Sequence, residues 1–391
     1  MYRGKYIGKY IGKYIGISIM NRINVTRSSM PTLEEYTKEI EGLFESHWLT
    51  NAGAKHEELK EKLRDYLGVN ALALTVNGHM ALELALQLLD LPEGGEVITT
   101  PFTFVSTTHA IVRSGLKPVF TDIRRDDCTM DPELIEEKIT PNTVAVMPVH
   151  VYGNLCDVKR IEEIASKHGL KVIYDAAHTF GERLNVDGEW KGSGSFGDLS
   201  CFSFHATKVY NTIEGGAVCC NTEEEAERIA VLRDFGILDE ETITDIAPNA
   251  KMNEFSAAMG LCNLRHVDKE IARRKKVNDL YRERLSGVKG IRLCPERSDV
   301  KSNYAYFPIF IDRDSYGMSR DELFERLKEN SIGARKYFYP MITELDCYKN
   351  LYDSRETPVA HEAAEEVMTI PMYADLPEED VERITGILLN N

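Results

Sequence analysis

The sequence predicts an α/β fold with a mainly parallel sheet, followed by a smaller α+β region. Short apolar runs alternate with helical stretches from residue 71 to residue 175, the pattern of parallel strands joined by helical crossovers. A further apolar run, 200–204, leads to Lys208, and a Glu-Gly-Gly turn then precedes another apolar run, 217–220. Beyond residue 221, charged helical stretches and alternating strand patterns replace the buried runs.

Composition describes an ordinary globular protein. The 391 residues are 43% hydrophobic, enough for more than one domain, and the net charge of −16 is spread over helical stretches. Such a surface disfavours nucleic acid and anionic membranes as partners, and no apolar run is long enough to span a bilayer. The eight cysteines form no Cys-x-x-Cys pair, so we expect reduced thiols in a cytoplasmic protein and no metal site.

Residues 1–22 are interpreted as an extension that is disordered or poorly ordered. Gly-Lys-Tyr-Ile occurs there three times, and the regular lysines interrupt the apolar run that a secretion signal needs. A tandem duplication would explain the repeat, with Met20 and Met30 as alternative natural starts. We assign the segment no role.

The elements of the predicted large domain, residues 23–265, follow from the apolar pattern. A glycine, Gly68, suits the end of the second helix. In chain order the predicted elements are helices at 33–44 and 56–67, a strand at 71–76, a helix at 80–89, strands at 96–100 and 118–122 around a helix at 106–114, a helix at 132–138, a strand at 144–151, a helix at 157–168 and a strand at 170–175.

The predicted small domain covers residues 266–391. A long charged helical stretch, 267–285, leads into it from the large domain. Its remaining elements are strands at 291–293 and 304–311, a helix at 320–330, an aromatic cluster at 337–340 and a last helix at 378–389.

Several polar or aromatic side chains fall at or just beyond predicted strand ends. Because ligands bind at the carboxyl ends of parallel strands, one cleft can collect Asn77, Phe104, Asp175 and Lys208. Lys208 alone is either a solvated surface charge or an amine that forms a Schiff base. Asp175 closes a buried strand and therefore needs donors or a cation, either as a helix cap or ion pair or as the partner of a pyridinium nitrogen.

The turn Asn77-Gly78-His79 joins a strand to a helix. This geometry aims free backbone N–H groups at an anion, although any tight strand-to-helix turn would use a glycine. An amine, a buried carboxylate and a phosphate cradle are the three parts that pyridoxal phosphate requires, and this sequence contains all three.

Seven segments together resemble the sugar-nucleotide aminotransferases of the DegT/DnrJ/StrS type. The resemblance runs from about Ile23 to the final helix and is carried by Thr-Val-Asn-Gly-His-Met-Ala-Leu (75–82), Pro-Phe-Thr-Phe-Val-Ser-Thr (101–107), Pro-Val-His-Val-Tyr-Gly (148–153), Asp-Ala-Ala-His (175–178), Phe-Ser-Phe-His-Ala-Thr-Lys (202–208), Glu-Gly-Gly (214–216) and Asn-Ala-Lys-Met-Asn-Glu (249–254). It implies a fold type I pyridoxal phosphate-dependent transferase with a mainly parallel seven-stranded sheet flanked by helices.

The resemblance also implies the roles of individual residues. Lys208 would hold pyridoxal 5′-phosphate covalently, with Asp175 at the pyridine nitrogen and Phe104 stacked on the ring. His178 would contact the phenolic oxygen, unless it makes a structural hydrogen bond instead. The implied phosphate contacts are the backbone N–H groups of Gly78 and His79, the hydroxyl of Ser203 and, from the neighbouring subunit of a homodimer with shared sites, Asn249.

Two departures from the family pattern concern substrate and phosphate contacts. Threonine or serine is common where His79 stands, so here the backbone carries more of the phosphate binding. Asparagine often follows the lysine directly, whereas Val209 and Tyr210 precede Asn211 here. The loop that is expected to cover the sugar can therefore differ from the corresponding loop of other family members.

The implied reaction moves an amino group from L-glutamate to a keto carbon of a nucleotide-linked keto-deoxysugar. Lys208 would act as the acid and base, and its presence argues against the family's dehydratases, which carry histidine there. The residues at 205–208 and 214–216 resemble those of enzymes that aminate C4 of the sugar. This resemblance makes dTDP-4-keto-6-deoxyglucose the first choice of acceptor.

The product would serve surface polysaccharide synthesis, such as lipopolysaccharide O-antigen, or secondary metabolism. His150, Tyr152 and the aromatic residues 337–339 are generic candidates for acceptor contacts. A C3 aminotransferase and a non-catalytic protein that binds pyridoxal phosphate or a nucleotide sugar stay open as alternatives.

Overall fold

The computed structural model describes residues 22–390. The strands within these residues are β1 (Ala71–Thr75), β2 (Glu96–Thr99), β3 (Lys117–Phe120), β4 (Thr143–Val146), β5 (Lys171–Asp175), β6 (Arg183–Val186), β7 (Glu189–Gly192), β8 (Leu199–Ser203), β9 (Gly216–Cys220), β10 (Ile291–Leu293), β11 (Val300–Lys301), β12 (Phe307–Ile311) and β13 (Val367–Ile370).

Twelve α-helices lie between and around these strands in the same described range. They are α1 (Leu33–Ser46), α2 (Ala54–Leu67), α3 (Gly78–Leu88), α4 (Val105–Arg113), α5 (Val158–His168), α6 (Glu223–Leu232), α7 (Glu254–Leu264), α8 (Val267–Leu285), α9 (Arg313–Tyr316), α10 (Arg320–Glu329), α11 (Pro358–Glu366) and α12 (Glu378–Leu389). The proposed extension lies almost entirely outside the described residues.

The central sheet has seven strands in the order β1-β9-β8-β5-β4-β2-β3. The pairs from β8 to β3 are parallel, and β9 runs antiparallel to both of its neighbours. The prediction of a mainly parallel seven-stranded sheet flanked by helices is therefore confirmed. Because the carboxyl ends of the parallel strands share one edge, residues that follow β5 and β8 are brought together.

Helices cover both faces of this sheet, which explains why its strands are continuous apolar runs. All five residues of β1 are buried, and alternate side chains point to opposite faces. Ala71 and Ala73 pack in one core with α3, α4 and α6, whereas Leu72 and Leu74 pack in another with α2 and α7. Helix α5 packs against β4 and β5 in a third core.

A three-stranded antiparallel sheet, in the order β10-β12-β13, organises the C-terminal part. It shares a core with α8, α10 and α12. Ile23 is buried in the same core and pairs with Ile332, so the first described residues pack on the C-terminal part.

Three local elements differ from the sequence prediction. The predicted helix at 132–138 is two short 3₁₀ turns, Pro132–Leu134 and Glu136–Lys138. The predicted strand at 144–151 ends as β4 at Val146, and only an isolated bridge from Val149 to Asp175 continues it. A third sheet, with the strand order β11-β6-β7, was not predicted. Its strands are too short and too polar to show a clear alternation of apolar and polar residues in the sequence.

Glu182 connects the loop after β5 to the segment that enters the C-terminal part. Its side chain is buried, and Oε1 accepts hydrogen bonds from the Ser302 hydroxyl at 3.2 Å and from the Asn303 N–H at 3.1 Å. Asn303 Nδ2 in turn donates to the carbonyl of His178 at 2.8 Å. Burial raises the pKa of Glu182 to about 8, against an ordinary value of 4.5.

Replacing Glu182→Gln should remove a pH dependence of stability. Since the folded state holds the proton to higher pH, the wild-type free energy of unfolding should fall between pH 4.5 and about 8. At about 1.4 kcal/mol per pKa unit, the fall relative to the variant is at most about 5 kcal/mol. Urea unfolding of both proteins at pH 5, 7 and 8.5 measures this difference. A difference that stays constant over this range would contradict the assignment.

Candidate active site

A cavity of about 370 Å³ opens at the carboxyl edge of the central sheet. Seven of the eight predicted site residues line it, namely Gly78, His79, Phe104, Asp175, His178, Ser203 and Lys208. The eighth, Asn249, does not line this cavity. Its side chain is exposed, and its Oδ1 accepts from the N–H of Lys251 at 3.5 Å.

Strand register places the carboxylate and the amine in this cavity. Asp175 is the last residue of β5 and lies opposite Cys201 of the neighbouring parallel strand β8. The chain leaves β8 after Ser203 and turns, with the Lys208 N–H donating to the His205 carbonyl at 2.9 Å. The turn brings Lys208 back over the end of the sheet, where it lines the cavity with Asp175.

Asp175 is a buried carboxylate with two hydrogen-bond donors. Its Oδ2 accepts from the Thr107 hydroxyl at 2.8 Å, and its Oδ1 accepts from the Ala177 N–H at 3.2 Å. Burial raises the pKa of Asp175, while Thr107, Ala177 and the positive charge of Lys208 act in the opposite direction. The carboxylate is thus held in place by donors but lacks a contacting cation among the described residues.

Lys208 approaches a tyrosine from the C-terminal part of the chain. Its Nζ lies 3.3 Å from the Tyr306 hydroxyl and 5.8 Å from the centre of the Tyr306 ring. The same ring lies 4.6 Å from the imidazole of His178. Tyr306 therefore fixes the direction of the amine and contacts a second residue of the site.

His178 is held as a neutral imidazole. Its Nδ1 accepts a hydrogen bond from the Tyr152 N–H at 3.0 Å, which assigns the ring proton to Nε2. Burial, with the nearby charge of Lys208, keeps the pKa of His178 well below its usual range. His178 can therefore donate one hydrogen bond through Nε2.

The start of α3 forms a cradle of backbone N–H groups. The Asn77 side chain caps the helix by accepting from the Met80 N–H at 2.8 Å. Within residues 22–390 the N–H groups of Gly78 and His79 have no acceptor. They are the unsatisfied donors that a helix N-terminus offers to an anion.

Two glycines allow this turn to lie close to the neighbouring strands. A Cβ at Gly78 would lie 2.7 Å from the Ser203 Cβ. A Cβ at Gly216 would lie 2.7 Å from the Asn77 carbonyl and 2.8 Å from the Gly78 nitrogen. Gly216 is therefore needed for close approach of β9 to the turn, which the sequence pattern alone did not reveal.

His79 and Phe104 face the cavity differently. The imidazole of His79 contacts the Ser106 hydroxyl and the Glu83 carboxylate, each at 2.9 Å, so the side chain is engaged beside α3. Its backbone N–H remains available for an anion. The Phe104 side chain is 52% exposed, and its ring lies 6.4 Å from that of Tyr337. This places an apolar ring face beside open space.

Sequence reasoning missed several residues that line or support the site. Thr107 belongs to a segment that carries the family resemblance, but nothing in the pattern marked it as the donor to Asp175. Tyr306 and Arg335 lie more than 90 positions beyond Lys208, and no local signal identified them. Of the generic aromatic candidates, Tyr337 lines the cavity, whereas His150 and Tyr152 are buried in the core.

Metal and membrane features were searched in the same part of the chain. Residues 22–390 contain no group of three or more His, Cys, Asp and Glu side chains arranged to hold a metal ion. None of their helices combines the length and apolar character needed to cross a membrane.

The fold and the site define a pyridoxal phosphate-dependent aminotransferase of fold type I. The chain belongs to the DegT/DnrJ/EryC1/StrS aminotransferase family, whose model matches residues 32–389. It is thus an enzyme that transfers amino groups to sugars, with pyridoxal 5′-phosphate as its cofactor. The expected family, enzyme class and cofactor are confirmed.

Individual relatives match along nearly the whole chain. The dTDP-4-amino-4,6-dideoxy-D-glucose transaminase of Shigella dysenteriae is 44% identical over 366 residues, which cover 94% of this chain and 98% of the relative. The structure of DesI in the presence of its TDP-sugar product is 33% identical, with a TM-score of 0.88 over 94% of this chain and 92% of DesI.

The name of a third similar structure states the form of its cofactor. The putative sugar aminotransferase Spr1654 from Streptococcus pneumoniae, in its PLP form, has a TM-score of 0.86 and 26% identity, covering 94% of this chain and 98% of Spr1654. The similarity therefore includes the whole described sheet and the C-terminal part rather than one motif.

Replacing Gly216→Ala should destabilise the protein by about 1–3 kcal/mol, because the new methyl group would overlap the backbone of the turn before α3. Gly42→Ala is a matched control. Gly42 lies in the exposed face of α1 with nothing within 4 Å of an added Cβ, so the change should stabilise by about 0.5–1 kcal/mol. Urea unfolding measures both, and a Gly216→Ala protein as stable as wild type would refute the packing argument.

Proposed function

We propose that this enzyme transfers the amino group of L-glutamate to C4 of dTDP-4-keto-6-deoxyglucose. The observation that carries the proposal is the placement of Lys208 and Asp175 in one cavity at the carboxyl edge of the sheet. The choice of acceptor is supported by the 44% identity to a dTDP-4-amino-4,6-dideoxy-D-glucose transaminase and by the similarity to DesI.

The residues of the cavity fit the cofactor in three independent ways. The free N–H groups of Gly78 and His79, with the Ser203 hydroxyl beside them, suit its phosphate. The buried carboxylate of Asp175 suits its protonated ring nitrogen, and the open face of Phe104 suits its aromatic ring. When bound, pyridoxal phosphate supplies an electron sink for the carbon that loses a proton.

The chain's own residues have distinct tasks in the proposed reaction. Lys208 would hold the cofactor through its amine and, once freed by the donor amine, would carry a proton to and from the reacting carbon. Asp175 would keep the ring nitrogen protonated, and the hydrogen bonds from Thr107 and Ala177 hold its carboxylate in place. His178 would donate through Nε2 to the phenolic oxygen, and the Tyr306 hydroxyl would orient the freed amine.

We propose a homodimer in which the sites are shared. Asn249 is exposed and lies outside the cavity of its own chain, as a residue that serves a neighbouring subunit must. The adjoining loop exposes an unusual set of apolar side chains, which a partner subunit would cover. Their exposed fractions are 47% for Phe235, 40% for Ile237, 59% for Leu238, 69% for Ile243 and 100% for Ile246.

We place the enzyme in the cytoplasm and its product in the synthesis of a surface polysaccharide such as O-antigen. The cysteines of the structure are free thiols, and seven of the eight are buried, which suits a reducing compartment. Activated nucleotide sugars are also the expected form of a sugar that is aminated before polymer assembly.

The variant Lys208→Ala should lose turnover by at least about 10⁴-fold while still binding the cofactor without a covalent bond, because the acid and base is removed but the phosphate cradle and Asp175 remain. Borohydride reduction followed by peptide mass spectrometry should find the cofactor on Lys208 in wild type alone. Lys167→Ala, on the exposed surface of α5, is the matched control and should behave as wild type. Normal transamination by Lys208→Ala would contradict the assignment of Lys208 as the acid and base.

The acceptor is tested with a panel of nucleotide-linked keto sugars and L-glutamate, with products identified by mass spectrometry and NMR. We expect an amine at C4 of the dTDP-linked 6-deoxy sugar. Preference for a 3-keto sugar would identify a C3 aminotransferase, and preference for a GDP-linked acceptor would correct the nucleotide.

Shared sites are tested by mixing inactive variants. In a mixed dimer of Lys208→Ala and Asn249→Asp chains, one site keeps both residues intact. Half of randomly formed dimers are mixed, so roughly a quarter of the wild-type activity should return on co-expression. Lys208→Ala mixed with Asp175→Asn is the control and should stay inactive, because each defect lies in its own chain's site. Recovery in both mixtures, or in neither, would contradict the arrangement.

A further inference from the structure

Two cysteines that are distant in the sequence meet where the C-terminal part packs on the rest of the chain. Cys128 lies in the loop after β3, and Cys294 directly follows β10. Both are buried in one apolar core as free thiols. Their side chains are in hydrogen-bonding contact with each other. The proposed transamination uses neither of them.

The loop that carries Cys128 is closed by hydrogen bonds. The Arg124 N–H donates to the Thr129 carbonyl at 2.8 Å, and the Cys128 N–H donates to the Arg124 carbonyl at 3.0 Å. Asp127 Oδ1 accepts from the Thr129 N–H at 2.9 Å. Cys128 has a φ of 61°, a left-handed conformation that is uncommon for a residue with a Cβ. The loop therefore holds the backbone of Cys128 in a fixed position.

Two further contacts tie this loop to the end of β10. Arg292 Nη1 donates to the Arg125 carbonyl at 2.7 Å. Asn154 Nδ2 donates to the Asp127 carbonyl at 2.7 Å, and the same side chain contacts the Cys294 sulfur. The neighbours of the two thiols are thus bound to one another, which keeps the two sulfur atoms in contact.

The two thiols differ in acidity. The hydrogen bond from Cys128 lowers the pKa of Cys294 against the effect of burial, and Asn154 and the charge of Arg292 act in the same direction as that bond. Burial raises the pKa of Cys128 well above its usual range. Because the thiolate is the reactive form of cysteine, Cys294 is the nucleophile of the pair.

The two thiols also differ in access. Cys294 lines a second cavity, of about 400 Å³, whereas Cys128 is fully buried and does not line it. The same cavity is lined by Lys275 and Glu296, whose side chains are 54% and 55% exposed, so it opens to solvent. A small oxidant therefore meets Cys294 first.

We propose that Cys128 and Cys294 form a reversible disulfide when the protein meets a hydroperoxide. The Cys294 thiolate attacks the terminal oxygen, the O–O bond breaks, and the other oxygen leaves and takes up a proton as water or an alcohol. Cys294 is then a sulfenic acid. The Cys128 sulfur attacks it, forms the S–S bond and releases the hydroxyl group with the Cys128 proton as water. The two thiols lose two electrons, which the hydroperoxide takes up, and a thiol reductant reverses the change.

The disulfide acts on the active site through the segment that contains Tyr152. The Tyr152 N–H donates to His178 Nδ1 at 3.0 Å, and its ring lies 6.0 Å from that of Tyr306. Two residues further on, Asn154 binds the loop of Cys128. Since an S–S bond of about 2.0 Å is much shorter than a hydrogen-bonding contact, its formation moves this segment. Oxidation should therefore change the position of His178 beside the cofactor.

The test oxidises the holoenzyme with hydrogen peroxide, blocks the remaining thiols and maps the peptides by mass spectrometry without reduction. We expect a cross-linked pair of peptides that contains Cys128 and Cys294 and separates on addition of dithiothreitol. The visible circular dichroism band of the bound cofactor should change in amplitude on oxidation and return on reduction, because His178 moves. Cys347→Ser removes an exposed cysteine and is the matched control, which should keep both responses.

Single variants test the order of the two steps. Cys128→Ala should stop at a sulfenic acid on Cys294, which dimedone traps, and Cys294→Ala should leave Cys128 unmodified and lose the response of the dichroism band. Absence of the cross-link in wild type would overturn the proposal, as would a sulfenic acid on Cys128 in Cys294→Ala. A cross-link with an unchanged dichroism band would overturn the connection to the active site. No amino donor or acceptor is present in these measurements, so failure of the proposed acceptor leaves them decisive.

Discussion

The site depends on a carboxylate buried at the end of a strand. Taking Asp175 out of water is unfavourable, and burial raises its pKa accordingly. Thr107 and Ala177 supply donors but no positive charge. The groups that offset the burial therefore come from outside β5, namely from α4, from the turn after Asp175 and from Lys208.

The C-terminal part completes the cavity rather than merely lying beside it. Tyr306, Arg335 and Tyr337 come from this part and meet residues of the central sheet. A mixed core beneath them, in which Phe102 and Tyr152 pack against Phe338, holds the two walls together. Glu182 and Asn303 tie the connecting segment to the loop that carries His178. Small movements at this junction would therefore change the direction of the lysine amine.

The sequence predicted the central architecture well because its strands are buried on both faces and its helices have regular apolar stripes. The same regularity identified Asp175 and Lys208 as residues at strand ends. It failed for β6 and β7, whose half-exposed residues lack a clear period, and for the helix at 132–138, which is two 3₁₀ turns.

Site residues were predictable only where a local motif marked them. Gly78, Ser203 and His178 lie in segments with a recognisable pattern, and the structure places them in the cavity. Tyr306 and Arg335 owe their positions to the packing of the C-terminal sheet, which no spacing in the sequence encodes. Thr107 shows the same limit at shorter range, since its bond to Asp175 depends on how α4 meets β5.

Burial shifts the pKa values of Asp175 and His178, the two titratable residues proposed to contact the cofactor ring, in opposite directions. Both shifts favour the uncharged form of the side chain. Burial raises the pKa of Asp175 and lowers that of His178. For His178 this suits the task, because a neutral imidazole with its proton on Nε2 is a hydrogen-bond donor that adds no charge. For Asp175 the donors Thr107 and Ala177 and the charge of Lys208 offset only part of the unfavourable burial, and a protonated ring nitrogen would add a contacting cation. In this arrangement cofactor binding and ionisation of Asp175 are linked, so that the strand end is electrostatically complete only in the holoenzyme.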